Sequence, residues 1–102
     1  MKIKIDRLPR MTLEEFADKN DLTIVVKERP SGYRWTSKFY AMFEGPWYVK
    51  EGEYFVKGSF GNGDTPEEAI ADYAKEISEQ TLVYKHSNND TDIKVPILIE
   101  KE

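Results

Sequence analysis

The run Gly61-Asn62-Gly63-Asp64-Thr65-Pro66-Glu67-Glu68-Ala69-Ile70 commits this chain to a one-sided helix that must lie against something. Thr65 stands where an N-cap belongs, Pro66 at the first helical position and Glu68 at N3, the spacing of a capping box. Ala69, Ile70, Tyr73, Ala74 and Ile77 then recur on one face, while Glu67, Glu68, Asp72, Lys75, Glu76 and Glu79 fall on the other. A helix with a single apolar stripe needs a second layer to bury it. The two glycines raise a separate question, because a glycine-rich turn opening a helix is also how chains cradle phosphate.

The rest of the chain supplies a layer. Thr12 with Glu15 three residues on makes a further capping box, Met11 and Phe16 are placed for a hydrophobic staple, and Asn20 reads as a stop, so a short helix is predicted over 13–19. Residues 22–28 are β-branched and end at a Pro-Ser-Gly turn; residues 37–44 alternate Phe39, Ala41 and Phe43 against Tyr40 and Met42. Gly45-Pro46-Trp47 reads as an interruption, and residues 53–60 as a third strand with Tyr54, Val56 and Phe60 on one side. Connections this short favour an antiparallel meander.

The expected fold is therefore α+β, in the order α-β-β-β-α, with an antiparallel three-stranded sheet and both helices packed on one of its faces. The domain spans 12–80, between an N-terminal extension over 1–11 and a C-terminal extension over 81–102. Within the latter, 81–85 and 95–100 are candidates for an added edge strand, and Pro96 suits an edge. Ile70, Tyr73 and Ile77 are expected to pack on Ile24, Val26, Phe39, Ala41, Phe43, Tyr54 and Val56.

From Thr12 to Gln80 that order resembles the double-stranded-RNA-binding domain. The family's third strand runs into a G-x-G-x-S turn before its last helix, and Gly61-Asn62-Gly63-Asp64-Thr65 matches that turn. The resemblance implies the fold. It does not carry the RNA chemistry, because the family's K-K-x-A-K phosphate contacts are replaced by Pro66, Glu67, Glu68, Ala69 and Ile70. The Pro30-Ser31-Gly32-Tyr33 turn also lacks the family's histidine. Glu67 and Glu68 already occupy the positive end of the helix dipole and would repel a phosphate. The glycines are thus expected to serve the turn and close packing, and duplex RNA is not an expected partner. Gly63 to Ala69 also resembles the strand–turn–helix of HicB-like antitoxins, which implies an antitoxin-like partner as an alternative role. In general style the chain resembles small accessory proteins of bacteriophages.

Residues able to do chemistry are sparse. There is no cysteine, and His86 is the only histidine among the 102 residues, set in a polar run. Glu14/Glu15 and Glu67/Glu68 sit in first helical turns, where capping explains them. Residues 88–92 lack the glycine and distal glutamate of a calcium loop. No enzyme, cofactor or metal site is expected. The net charge of −4 opposes general affinity for nucleic acid or anionic membrane. With no long apolar run, a cytoplasmic protein is expected.

Aromatics crowd the predicted sheet: Tyr33, Trp35, Tyr40, Trp47, Tyr48, Tyr54 and Phe55 exceed what one face of three strands can bury. One reading has Trp35 and Trp47 capping the ends of the core. The other has an aromatic strip edged by Arg34, Lys38, Lys50 and Lys57 acting as a contact surface, since Tyr, Trp and Arg are enriched at interfaces. The expected contact residues are Tyr33, Arg34, Trp35, Trp47, Tyr48 and Lys50. The expected function is a non-enzymatic interaction module, in the setting of a phage or mobile-element protein that binds or inhibits a host factor. The competing class is a nucleic-acid binder that stacks bases on the open sheet face.

Overall fold

The computed structural model describes residues 2–3, 10–30, 37–85 and 90–99. In chain order its elements are β1 (Arg10–Thr12), α1 (Leu13–Lys19), β2 (Ile24–Glu28), β3 (Phe39–Phe43), β4 (Trp47–Glu51), β5 (Phe55–Lys57), β6 (Gly61–Gly63), α2 (Pro66–Ile77), β7 (Thr81–Lys85), β8 (Asp90–Lys94) and β9 (Ile97–Ile99). Among the described residues no helix is long and apolar enough to cross a membrane.

Both helices form where their local signals put them. Thr12 Oγ1 accepts the Glu15 N–H at 3.1 Å, and the Glu15 carboxylate accepts the Thr12 N–H in return. Asn20 closes α1, its Nδ2 donating to Phe16 O at 2.9 Å. At α2, Thr65 Oγ1 accepts the Glu68 N–H at 3.1 Å, but the Glu68 carboxylate reaches one residue further back, to the Asp64 N–H. One carboxylate thus fastens the approach to the helix as well as its first turn.

The single three-stranded sheet is overturned. Among the described residues there are nine strands in three sheets: β2-β3-β6, β5-β4-β7-β8, and a parallel pair of β1 with β9. Three physical causes account for the difference. First, Trp47 to Lys57 is a hairpin inserted between β3 and β6, turned at Gly52 (φ 71°) and entered at Gly45 (φ 109°), both in backbone that favours glycine. Gly45-Pro46-Trp47 therefore leads into a strand instead of only interrupting one. Second, residues 53–60 do not form one strand: β5 pairs with β4, and the chain then crosses to pair β6 with β3. Third, β7 lies inside its sheet, between β4 and β8, so the segment after Gln80 supplies an interior strand and two more besides.

The core joins these pieces. In the register of β2 and β3, Ile24 and Val26 share a face with Phe43 and Ala41, the face covered by α2. Phe43 stands between the two helices, its ring 6.1 Å from that of Phe16 on α1 and 5.3 Å, edge-on, from that of Tyr73 on α2. Val49 from β4, Leu82 from β7 and Val95 belong to the same buried cluster. Ile77 is completely buried, as the helical stripe requires, whereas Tyr54 and Val56 are exposed and take no part in the core they were expected to enter.

The G-x-G pair owes its identity to the approach of α2. A Cβ on Gly61 would lie 2.6 Å from Tyr73 Cα and closer still to Tyr73 N and Ala69 O; one on Gly63 would lie 2.6 Å from the Glu68 carbonyl carbon. Real Cβ atoms do not come so near backbone, so only glycine lets the helix lie on β6. The Asn62 N–H between them donates to Asp72 Oδ2 at 2.8 Å, which ties the outer edge of β6 to the helix.

Candidate functional site

Leaving the core, β4 becomes the base of a projecting ribbon. Trp47 and Val49 are in register with Tyr84 and Leu82, and Val49 and Leu82 carry this face of the sheet into the core. Trp47 is half-buried, its ring 4.9 Å from that of Tyr84. Tyr48 points to the opposite face beside Val83 and is half-buried too. Beyond Val49 the support stops: Lys50 to Gly58 are exposed without a break. Tyr54 is 87% exposed and Phe55 72%, with Val56 beside them. Among the described residues β5 has β4 on one side and no strand of its sheet on the other, which leaves its outer backbone edge open among them.

A second aromatic group lies on the face of β2-β3-β6 turned away from α2. Tyr40 meets the half-exposed Phe60 edge-on at 6.1 Å. The Arg29 guanidinium lies 4.8 Å from the centre of the Tyr40 ring. It donates to the carbonyls of Ser37 (2.6 Å) and Phe39 (3.2 Å), and to Asn62 Oδ1. Arginine here is clamped on three partners and two rings; it closes the sheet's open face instead of leaving that face bare. Lys38 stands 3.6 Å from Glu28 in an exposed pair.

Two clefts lie elsewhere on the surface of the described residues. One, of about 430 Å³, lies between the Asn20–Thr23 turn, Glu44, Trp47, Tyr84, Thr91 and Ile93. The other, of about 540 Å³, has Leu13, Ile70, Ala74 and Leu98 along it and Glu14, Glu67 and Lys75 at its rim. Among the described residues no three His, Cys, Asp or Glu gather where a metal could sit. The clear titration shift is structural: burial pushes the Tyr73 phenol up to about 12, moderated by the hydrogen bond its oxygen accepts from the Phe43 N–H.

Of the contact residues expected from sequence, Tyr33, Arg34 and Trp35 lie outside the described residues, as does His86. Trp47 and Tyr48 form the half-buried base of the hairpin, and Lys50 is exposed on its stem. Among the described residues the most exposed aromatics are Tyr54 and Phe55, which the sequence places in one strand, Tyr54 on the side expected to pack and Phe55 on the other. The signal that would have found them is Trp47-Tyr48-Val49-Lys50 and Tyr54-Phe55-Val56-Lys57 flanking Glu51-Gly52-Glu53, two β-rich runs about a glycine turn. A hairpin that short puts its second run at a tip.

In comparisons with known proteins the chain matches no family model, no curated protein and no solved structure.

Proposed function

We propose that this chain is a non-enzymatic interaction module that receives a protein partner on the β4–β5 hairpin. The supporting observation is Tyr54 at 87% exposure in the hairpin turn and Phe55 at 72% at the start of the edge strand β5. Keeping an aromatic of this size in water forgoes roughly 1.5–3 kcal/mol of burial per side chain. Two in succession, with main-chain groups free to pair beside them, make an anchor of the kind that edge-strand recognition uses. The charges around them balance, Lys50 and Lys57 against Glu51 and Glu53. A surface for the phosphate backbone would be dominated by lysine and arginine, so the hairpin favours a protein over single-stranded nucleic acid.

A photo-crosslinking amino acid placed at Tyr54, with a control at Glu76 on the acidic face of α2, tests this in the native cytoplasm with and without nuclease. Protein adducts from position 54 that survive nuclease are expected, with none from position 76. Adducts from 76 alone, or adducts that vanish with nuclease, would overturn the assignment.

A further inference from the structure

The cleft beside the base of the hairpin gathers groups that all favour a cation. Its floor is a row across three strands, Trp47 of β4, Tyr84 of β7 and Thr91 of β8, which are partners in the register. The two rings lie 4.9 Å apart and form one aromatic patch. Asp21 lines the cleft from the turn after α1, and Glu44 from the chain leaving β3. Among the described residues no lysine or arginine lines it, and neither carboxylate is held in an ion pair. The face of an aromatic ring is negative too, so rings and acids attract the same kind of ligand. We propose that this cleft is a binding site for a guanidinium group, the side chain of an arginine carried by a polypeptide ligand. The site is separate from the hairpin tip and does not depend on it.

The walls of the cleft are fixed by main-chain bonds. Asn20 ties the Asp21 turn to α1, its N–H and its Nδ2 both donating to Phe16 O. The Leu22 N–H donates to Ala17 O at 2.8 Å. The Glu44 N–H donates to Thr23 O at 2.8 Å, which joins the two acid-bearing segments to each other. Gly45 brings the backbone beside Glu44 against the aromatic patch: a Cβ there would stand 3.0 Å from a ring carbon of Tyr84 and 3.7 Å from one of Trp47. The cleft, of about 430 Å³, is open to water, and that decides between cations. A compact ammonium is strongly hydrated and gains little at an open site. A guanidinium is weakly hydrated, stacks on aromatic faces and offers planar N–H donors that match carboxylates. The chain uses this stacking once already, with Arg29 lying 4.8 Å over the Tyr40 ring. The cleft has the rings and the acids, but no arginine among the described residues supplies the cation.

An NMR chemical-shift titration of the full chain with N-acetyl-arginine amide, at physiological salt, tests the proposal. The Trp47 indole N–H and the Asp21 and Glu44 amides should move together and saturate. The dissociation constant should be on the order of 10 mM, since one stacked ion pair at an open site is a weak contact. N-acetyl-citrulline amide has the same shape without the charge and should bind at least about fivefold more weakly. N-acetyl-lysine amide has the charge without the plane and should also bind more weakly than the arginine amide. Asp21→Asn keeps a residue type that tolerates the left-handed backbone there (φ 55°). It and Glu44→Gln should each weaken the arginine amide about threefold, with unchanged urea midpoints because both side chains are exposed. Citrulline or lysine amide binding as well as arginine amide would overturn the assignment, as would variants that bind like the parent. Shifts spread along Glu67, Asp72 and Glu76 of α2, with the cleft unmoved, would show attraction to net charge alone and overturn it too. Because Tyr54 and Phe55 do not line the cleft, any of these failures leaves the hairpin reading as it stands.

Discussion

Replacing Gly61 with alanine should unseat α2, and the geometry sets the scale. The added methyl would stand 2.6 Å from Tyr73 Cα, with Tyr73 N and Ala69 O nearer still. All three are backbone or backbone-attached atoms of the helix, so no side-chain rotation relieves the clash. The helix must lift from β6, and it carries Tyr73 and the fully buried Ile77, so the lift loosens the packing around Phe43 as well. Overpacking in a core costs about 1–3 kcal/mol when side chains can yield; with rigid backbone on the other side, about 3 kcal/mol or more is expected. For a domain of this size that lowers the melting temperature by roughly 12–24 °C. Gly58→Ala is the internal control, because a Cβ there meets nothing within 4 Å; it should be neutral or stabilise by about 0.4–1 kcal/mol through the unfolded chain. Urea denaturation of both variants, followed by circular dichroism, separates the cases. Equal midpoints for Gly61→Ala and Gly58→Ala would refute the claim that the G-x-G pair exists for helix approach.

Ile77→Ala should cost about 2–4 kcal/mol in the same denaturation assay, as expected for a completely buried branched side chain. Because the folded Tyr73 pKa is raised to about 12 from 10, the neutral phenol is favoured by folding. Its stabilising contribution is therefore complete below pH 10 and falls away up to pH 12, by about 3 kcal/mol in all; Tyr73→Phe should flatten that part of the stability curve. The double substitution Tyr54→Ala/Phe55→Ala should leave the urea midpoint within about 0.5 kcal/mol of the parent, since neither side chain is packed, while removing the adducts formed from the hairpin. If the midpoint falls by several times that amount, the hairpin is structural.

Local signals carried the two helices and the strands β2 and β3. The range 13–19 for α1 and the start of α2 follow from Thr12, Glu15, Thr65 and Pro66, whose effects reach only three or four residues. The β-branched run of β2 and the alternation of β3 were legible for the same reason. What escaped was pairing at long range. Trp47 meets Tyr84, and Arg10 meets Ile97, through hydrogen bonds between segments that share no local pattern; no periodicity in either segment announces its partner. Tyr54 was misplaced because strand alternation assigns a side but does not say whether any layer covers that side. The resemblance to the double-stranded-RNA-binding domain drew on the Gly61–Thr65 turn, which the helix geometry explains locally. A turn fixes two elements and leaves the remaining strands undetermined. For the surface, the crowd of aromatics showed that some must face water, but which ones depended on Gly52 turning the hairpin outward.

Hydrogen exchange of the backbone amides, compared between the free chain and its complex, tests the hairpin assignment most directly. In the free chain at low concentration, Tyr54 to Lys57 should exchange quickly, because β5 is an open edge with exposed side chains. On association those amides should become protected, while Glu76 and Glu79, on the solvent face of α2 and beyond its end, keep their original rates. Protection along α2 with Tyr54 to Lys57 unchanged would contradict the account and move the working surface to the acidic helix.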